Sequence, residues 1–82
     1  MSEEYIYKKA LEKWGFENQR DKAIEEMSEL TKAFIKERQY PSVKKTIDVV
    51  QEIADVEILM GQMRLIYGSV NIDMAKAQKL SN

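Results

Sequence analysis

Two short runs of this chain set carboxylates in close pairs: Glu26-Met27-Ser28-Glu29 and Glu52-Ile53-Ala54-Asp55. Residues three apart on a helix are surface neighbours, with Cβ atoms about 5–6 Å apart. Each run, if helical, presents two carboxylates side by side, and the apolar residues around them turn both pairs inward. Like charges gathered away from water repel and are costly to desolvate, so such a cluster calls for a cation. Within one turn of Glu52 and Asp55 the chain supplies none: positions 48, 49, 51, 56, 58 and 59 are Asp, Val, Gln, Val, Ile and Leu. Taken alone, Glu25, Glu26 and Glu29 read as a solvated row paired with Lys22, Lys32 and Lys36. The second pair, set among Ile, Val, Leu, Met and Ala, shifts the reading to a metal site.

Composition selects the metal. The 82 residues include neither Cys nor His. This excludes disulfides, thiolate zinc, a Cys nucleophile, a Ser-His-Asp arrangement and imidazole ligands. An oxygen-only donor set favours Mg²⁺, Mn²⁺ or Ca²⁺. Mg²⁺ keeps several waters and commonly bridges carboxylates to substrate phosphates. The expected chemistry is therefore Mg²⁺-dependent work on a phosphate-bearing substrate. A net charge of −1, from 13 basic and 14 acidic residues, is no footprint for a nucleic-acid binder. No apolar stretch approaches the roughly 18–20 residues of a membrane span. The start, Met1-Ser2-Glu3-Glu4-Tyr5, is acidic rather than a basic leader, so a soluble intracellular protein is expected.

The elements that must position these carboxylates read as all helix, in a single domain over residues 1–82. No stretch alternates as a half-buried strand would. Ser2 is the expected N-cap of a first helix running to about Lys13, ended by Gly15. Asn18 is the expected N-cap of a second helix, ending near Gln39-Tyr40 ahead of Pro41. Its apolar stripe is Ala23, Met27, Leu30 and Phe34, flanked by a polar stripe of Gln19, Lys22, Glu26 and Glu29. Ser42 or Thr46 opens a third helix reaching Tyr67, with Val49, Ile53, Val56, Met60, Met63 and Tyr67 on its main stripe. That helix is apolar over most of its circumference, and one hairpin cannot cover it. An antiparallel bundle of about four helices, completed by a second subunit, is expected. Ser69 or Asn71 starts a short last helix carrying Lys76 and Lys79. Lys44-Lys45 places two positive charges at the positive end of the third helix, which is unfavourable for its dipole; solvation or attraction to phosphate would account for it.

The run Trp14-Gly15, Gln19, Lys22, Glu25-Glu26-Met27-Ser28-Glu29-Leu30, followed by Glu52-Ile53-Ala54-Asp55-Val56, resembles the MazG-like all-α nucleoside triphosphate pyrophosphohydrolases. Their hallmark is ExxE, a variable gap and ExxD; here 22 residues separate Glu29 from Glu52. The likeness spans about residues 12 to 80 and is greatest to the compact, phage-type members. It implies cleavage of an NTP or dNTP to a monophosphate and pyrophosphate, with Glu26, Glu29, Glu52 and Asp55 as Mg²⁺ ligands. Lys22 and Glu25 stand where the family supports the phosphates or the attacking water. Lys76 and Lys79 resemble its C-terminal triphosphate-binding residues. A homodimer or homotetramer, in the cytoplasm of a bacterial or phage-infected cell, is implied as well. Position 48 is Asp where a basic residue would support phosphate, a departure from the pattern.

Trp14 is a candidate base contact, although aromatics at helix ends more often serve packing. Two other functions compete: a phosphoribosyl-ATP pyrophosphatase, disfavoured because no His follows Asp55, and a non-catalytic helical oligomerisation or interaction module. The complete set of four carboxylates favours the enzyme.

Overall fold

The computed structural model describes residues 1–81. These form four helices and, among the described residues, no strand. They are α1 (Glu3–Trp14), α2 (Phe16–Gln39), α3 (Val43–Tyr67) and α4 (Ser69–Leu80). None is long and apolar enough to cross a membrane.

The expected punctuation accounts for most of the boundaries. The Ser2 hydroxyl accepts a bond from the Tyr5 amide at 3.2 Å, and Ser42, not Thr46, caps α3 by accepting from the Lys45 amide at 3.1 Å. Pro41 separates α2 from α3. Asn18 is not an N-cap. Gly15, at φ 86° and ψ 159°, turns the chain so sharply that α2 begins at Phe16. The Asn18 amide then reaches back, donating from Nδ2 to the Trp14 carbonyl at 2.8 Å. It thereby satisfies a carbonyl left open at the end of α1. The same corner recurs between α3 and α4: Gly68 has φ 97°, Ser69 opens the helix, and Asn71 donates to the Tyr67 carbonyl at 3.3 Å. Trp14-Gly-x-x-Asn18 and Tyr67-Gly-x-x-Asn71 are thus one device used twice. Phe16 meets Tyr67 edge to face, with centroids 6.1 Å apart, and so joins the two corners.

Gly15 occupies a backbone region open essentially to glycine alone. Nothing lies near the place where a Cβ would stand, so strain is the whole penalty of a substitution. Gly15→Ala is expected to lower unfolding free energy by about 1–3 kcal/mol, read from urea denaturation with an unchanged m-value.

Helices α2 and α3 pack as an antiparallel hairpin that forms the centre of the molecule. The inward row of α2 is Gln19, Ala23, Glu26, Leu30, Ala33 and Glu37, recurring in steps of four and three. That of α3 is Val49, Glu52, Val56, Leu59, Met63 and Ile66. Two corrections follow. Met27 and Phe34 leave the expected stripe of α2 and are exposed, as are Ile53 and Tyr67 on α3. The reason is the polar content of the seam: with Gln19, Glu26 and Glu37 facing α3, the neighbouring apolar residues rotate outward. Gln19 donates to Gln62 at 2.8 Å inside the hairpin, and Thr46 donates to Glu37 at 2.8 Å near its turn.

Ala23, Leu59 and Met63 form the core, with Met60 and Ile66 packed against them. α1 lies on α3, where Tyr7 covers Gly61 so closely that a Cβ there would overlap the ring. Among the described residues no large apolar side chain is fully buried, and Ile24, Met27, Phe34, Ile47, Val50 and Ile53 remain open.

Candidate metal centre

The hairpin brings three of the four paired carboxylates together. One oxygen each from Glu26, Glu52 and Asp55 lies within 4.8 Å of the others. Glu26 comes from the inward row of α2, Glu52 from that of α3, and Asp55 from the next turn of α3, at the exposed edge. The antiparallel pairing makes this possible, because the middle of α2 meets the middle of α3.

Glu29 stands one turn further along α2. Its carboxylate is partly exposed and pairs with Lys32 at 3.5 Å. It lines a small cavity together with Glu52, so it adjoins the three clustered oxygens without joining them.

The electrostatics centre on Glu52. Its carboxyl is held above the ordinary carboxylate range, first by burial, then by the charges of Asp55, Glu26, Glu29 and Asp48. Its Oε2 is buried and has no hydrogen-bond partner. A buried acceptor with an unmet lone pair is rare in proteins and calls for a water, a proton or an ion to complete it. Among the described residues, the only cation paired with any of the three carboxylates is Lys22, whose ammonium is 3.7 Å from Glu26 and half exposed. One solvated lysine does not offset three converging carboxylates. The three residues offer only hard oxygen donors, and Glu52 among them carries the orphaned acceptor; such a set suits Mg²⁺ or Mn²⁺.

Two cavities flank the cluster. One, of about 460 Å³, is lined by Trp14, Asn18, Gln19, Lys22 and Leu59. Trp14 is half exposed, with the Lys13 ammonium 4.8 Å above its ring. The other, of about 170 Å³, is lined by Glu29, Lys32, Ala33, Lys36, Lys45, Asp48, Gln51 and Glu52. A third groove, of about 730 Å³, lies elsewhere, between Tyr7, Glu57, Gly61 and Arg64, and touches none of the four carboxylates.

The remaining candidates are spread out. Glu25 is exposed, one position and so about 100° round α2 from Glu26. Lys76 and Lys79 are exposed on α4 and line neither flanking cavity. Sequence reasoning missed Lys32, Lys36 and Lys45 as a group; the signal was Lys45, placed where a helix dipole disfavours it. It also missed the Gln19–Gln62 bond, which no local pattern announces across 43 residues. No protein-family model, curated protein or solved structure matches this chain.

Proposed function

We propose that the chain is a Mg²⁺-dependent nucleoside triphosphate pyrophosphohydrolase of the MazG-like kind, cleaving an NTP or dNTP to a monophosphate and pyrophosphate. The single observation that carries this reading is the convergence of one oxygen each from Glu26, Glu52 and Asp55, with Glu52 also carrying an Oε2 that is buried and unpartnered among the described residues. Glu26, Glu52 and Asp55 would hold the ion, with Glu29 closing the set from the next turn. The bound ion would neutralise the phosphates and the charge that develops on them during in-line displacement.

The chain's own residues do the rest. Lys22 at the rim adds a positive charge that a phosphate oxygen can claim once Glu26 turns to the metal. Glu25, exposed beside the cluster and in no ion pair among the described residues, is the carboxylate left to orient the attacking water. Trp14 offers a flat apolar face for a base. Lys76 and Lys79 keep the phosphate-binding role that the resemblance implies only if a second subunit brings α4 to the site. A homodimer or homotetramer would also cover Met27, Phe34, Val50 and Ile53, which a chain of this size can ill leave in water.

The test is a pyrophosphate-release screen over the common NTPs and dNTPs, with Mg²⁺ present and absent. Release from at least one nucleotide, lost on chelation, is the expected result. Absence of release from every nucleotide, at protein concentrations where the oligomer is formed, refutes the reading.

A further inference from the structure

Besides its seam with α2, α3 carries a second apolar row. Ala54, Ile58, Gly61 and Leu65 follow one another in steps of four, three and four, and so share one face. By helix arithmetic that face lies about 160° from the row of Glu52, Val56, Leu59 and Met63. α1 covers it only in part, by laying the Tyr7 ring on Gly61. What α1 leaves open is the groove of about 730 Å³ between the two helices, where Ile58 is 46% exposed. From Ala54 to Leu65 the row runs about 16 Å, or three helical turns.

The rim of this groove is acidic. Glu3 and Glu4 stand at it from α1, and Glu57 from α3. Glu3 and Glu57 make no ion pair among the described residues. Glu4 has an exposed contact with Lys8 at 3.7 Å. Among the described residues, the one cation in the wall is Arg64, and Asp73 of α4 already holds its guanidinium at 2.9 Å. Burial, and then the charges of Glu3 and Glu57, keep the Tyr7 phenol above its ordinary range, so both carboxylates act on the interior of the groove. In a chain whose net charge is only −1, this is a concentrated negative face around an apolar floor.

The chemistry of the floor and rim selects the occupant. Backbone groups of α1 and α3 along the groove are bonded within their own helices, so an extended segment would find no partners for its amides. A helix satisfies its own backbone and needs only side chains to fill the space. Its flanks must be cationic to meet Glu3 and Glu57. A second copy is a poor occupant, because pairing about a two-fold axis sets groove against groove and brings like carboxylates together.

We infer that the groove between α1 and α3 receives a cationic amphipathic helix of a partner protein, its apolar stripe on Ala54, Ile58 and Leu65 and its basic flank on Glu3 and Glu57. The surface is separate from the clustered carboxylates and does not depend on the hydrolase reading.

The experiment is fluorescence anisotropy on the full chain with a labelled leucine/lysine amphipathic peptide of about 14 residues, long enough to span the row. A leucine/glutamate twin is the comparison. The lysine peptide is expected to bind at least about tenfold more tightly than the twin, and less tightly as salt is raised. Glu57→Lys and Ile58→Gln, both at exposed positions, should each weaken binding about tenfold or more with helicity retained. Asp21→Lys, the same charge reversal at an exposed position of α2 outside the groove, should leave it within about threefold. The inference is overturned if the wild type binds neither peptide, if the twin binds as well, or if Asp21→Lys costs as much as Glu57→Lys. Sedimentation of the same variants without peptide decides the other occupant: an oligomer that dissociates in Glu57→Lys or Ile58→Gln would place a second copy in the groove and overturn the inference as well. Peptide binding and pyrophosphate release are read separately, so either can fail alone.

Discussion

Asp55→Asn is expected to leave the four helices unchanged by circular dichroism while lowering kcat for pyrophosphate release by about 10²–10³-fold. Asp55 sits at the exposed edge of the cluster, so an isosteric amide is tolerated by the fold and the loss reports on chemistry. The amide keeps one oxygen but surrenders the negative charge, and a hard divalent cation distinguishes the two sharply. Glu29→Gln should act in the same direction with a smaller effect, because Glu29 borders the three clustered oxygens from the next turn. Wild-type turnover in Asp55→Asn would show that the cluster does not serve catalysis.

The second large effect is thermodynamic and reverses sign with the ion. If the proposed site takes Mg²⁺, the ion at a hundred times its Kd is expected to add about 2.7 kcal/mol of stability to the wild type, which in a domain of this size raises Tm by about 10–20 °C. Glu52→Gln should abolish most of that rise. Without metal the same variant should melt above the wild type. The Glu52 carboxyl is raised above its ordinary range by burial and by Asp55, Glu26, Glu29 and Asp48, so folding opposes its ionised form. Its contribution is favourable only below the unfolded pKa, where it is protonated in both states. That contribution is lost as pH climbs toward the raised value. In the metal-free wild type this component of stability falls on passing from acid to neutral pH, and the amide removes it. Scanning calorimetry with EDTA and with Mg²⁺ checks both halves; a destabilised metal-free Glu52→Gln would contradict the account.

Helix number and boundaries were legible in the sequence because Gly15, Pro41 and Gly68 act locally, through φ and a missing amide hydrogen. The carboxylates Glu26, Glu52 and Asp55 were legible because their spacing survives any rotation of the helix. Which apolar residues share the seam with Glu26 and Glu52 was not. Pattern reading assumes that apolar residues seek the interior, so Met27 and Phe34 outbid Glu26 and Ala33 on paper. In the molecule Gln19, Glu26 and Glu37 hold seam positions of α2, and a seam carrying polar groups breaks that assumption at the place where a site is built. Asn18 was misread for a related reason. Its amide serves equally well at a helix start or bonded backward over a glycine corner, and only the φ of Gly15 decides between them.

The twin glycine corners have a mechanical corollary. Because α2 and α3 run antiparallel, Gly15 and Gly68 sit at the same end of the hairpin, and α1 and α4 are both tethered there. Neither outer helix contains a buried residue, and neither supplies an oxygen to the clustered carboxylates. Fraying of either arm would thus leave in place the three clustered carboxylates, which lie midway along the α2–α3 hairpin between the glycine corners and the Tyr40-Pro41 bend.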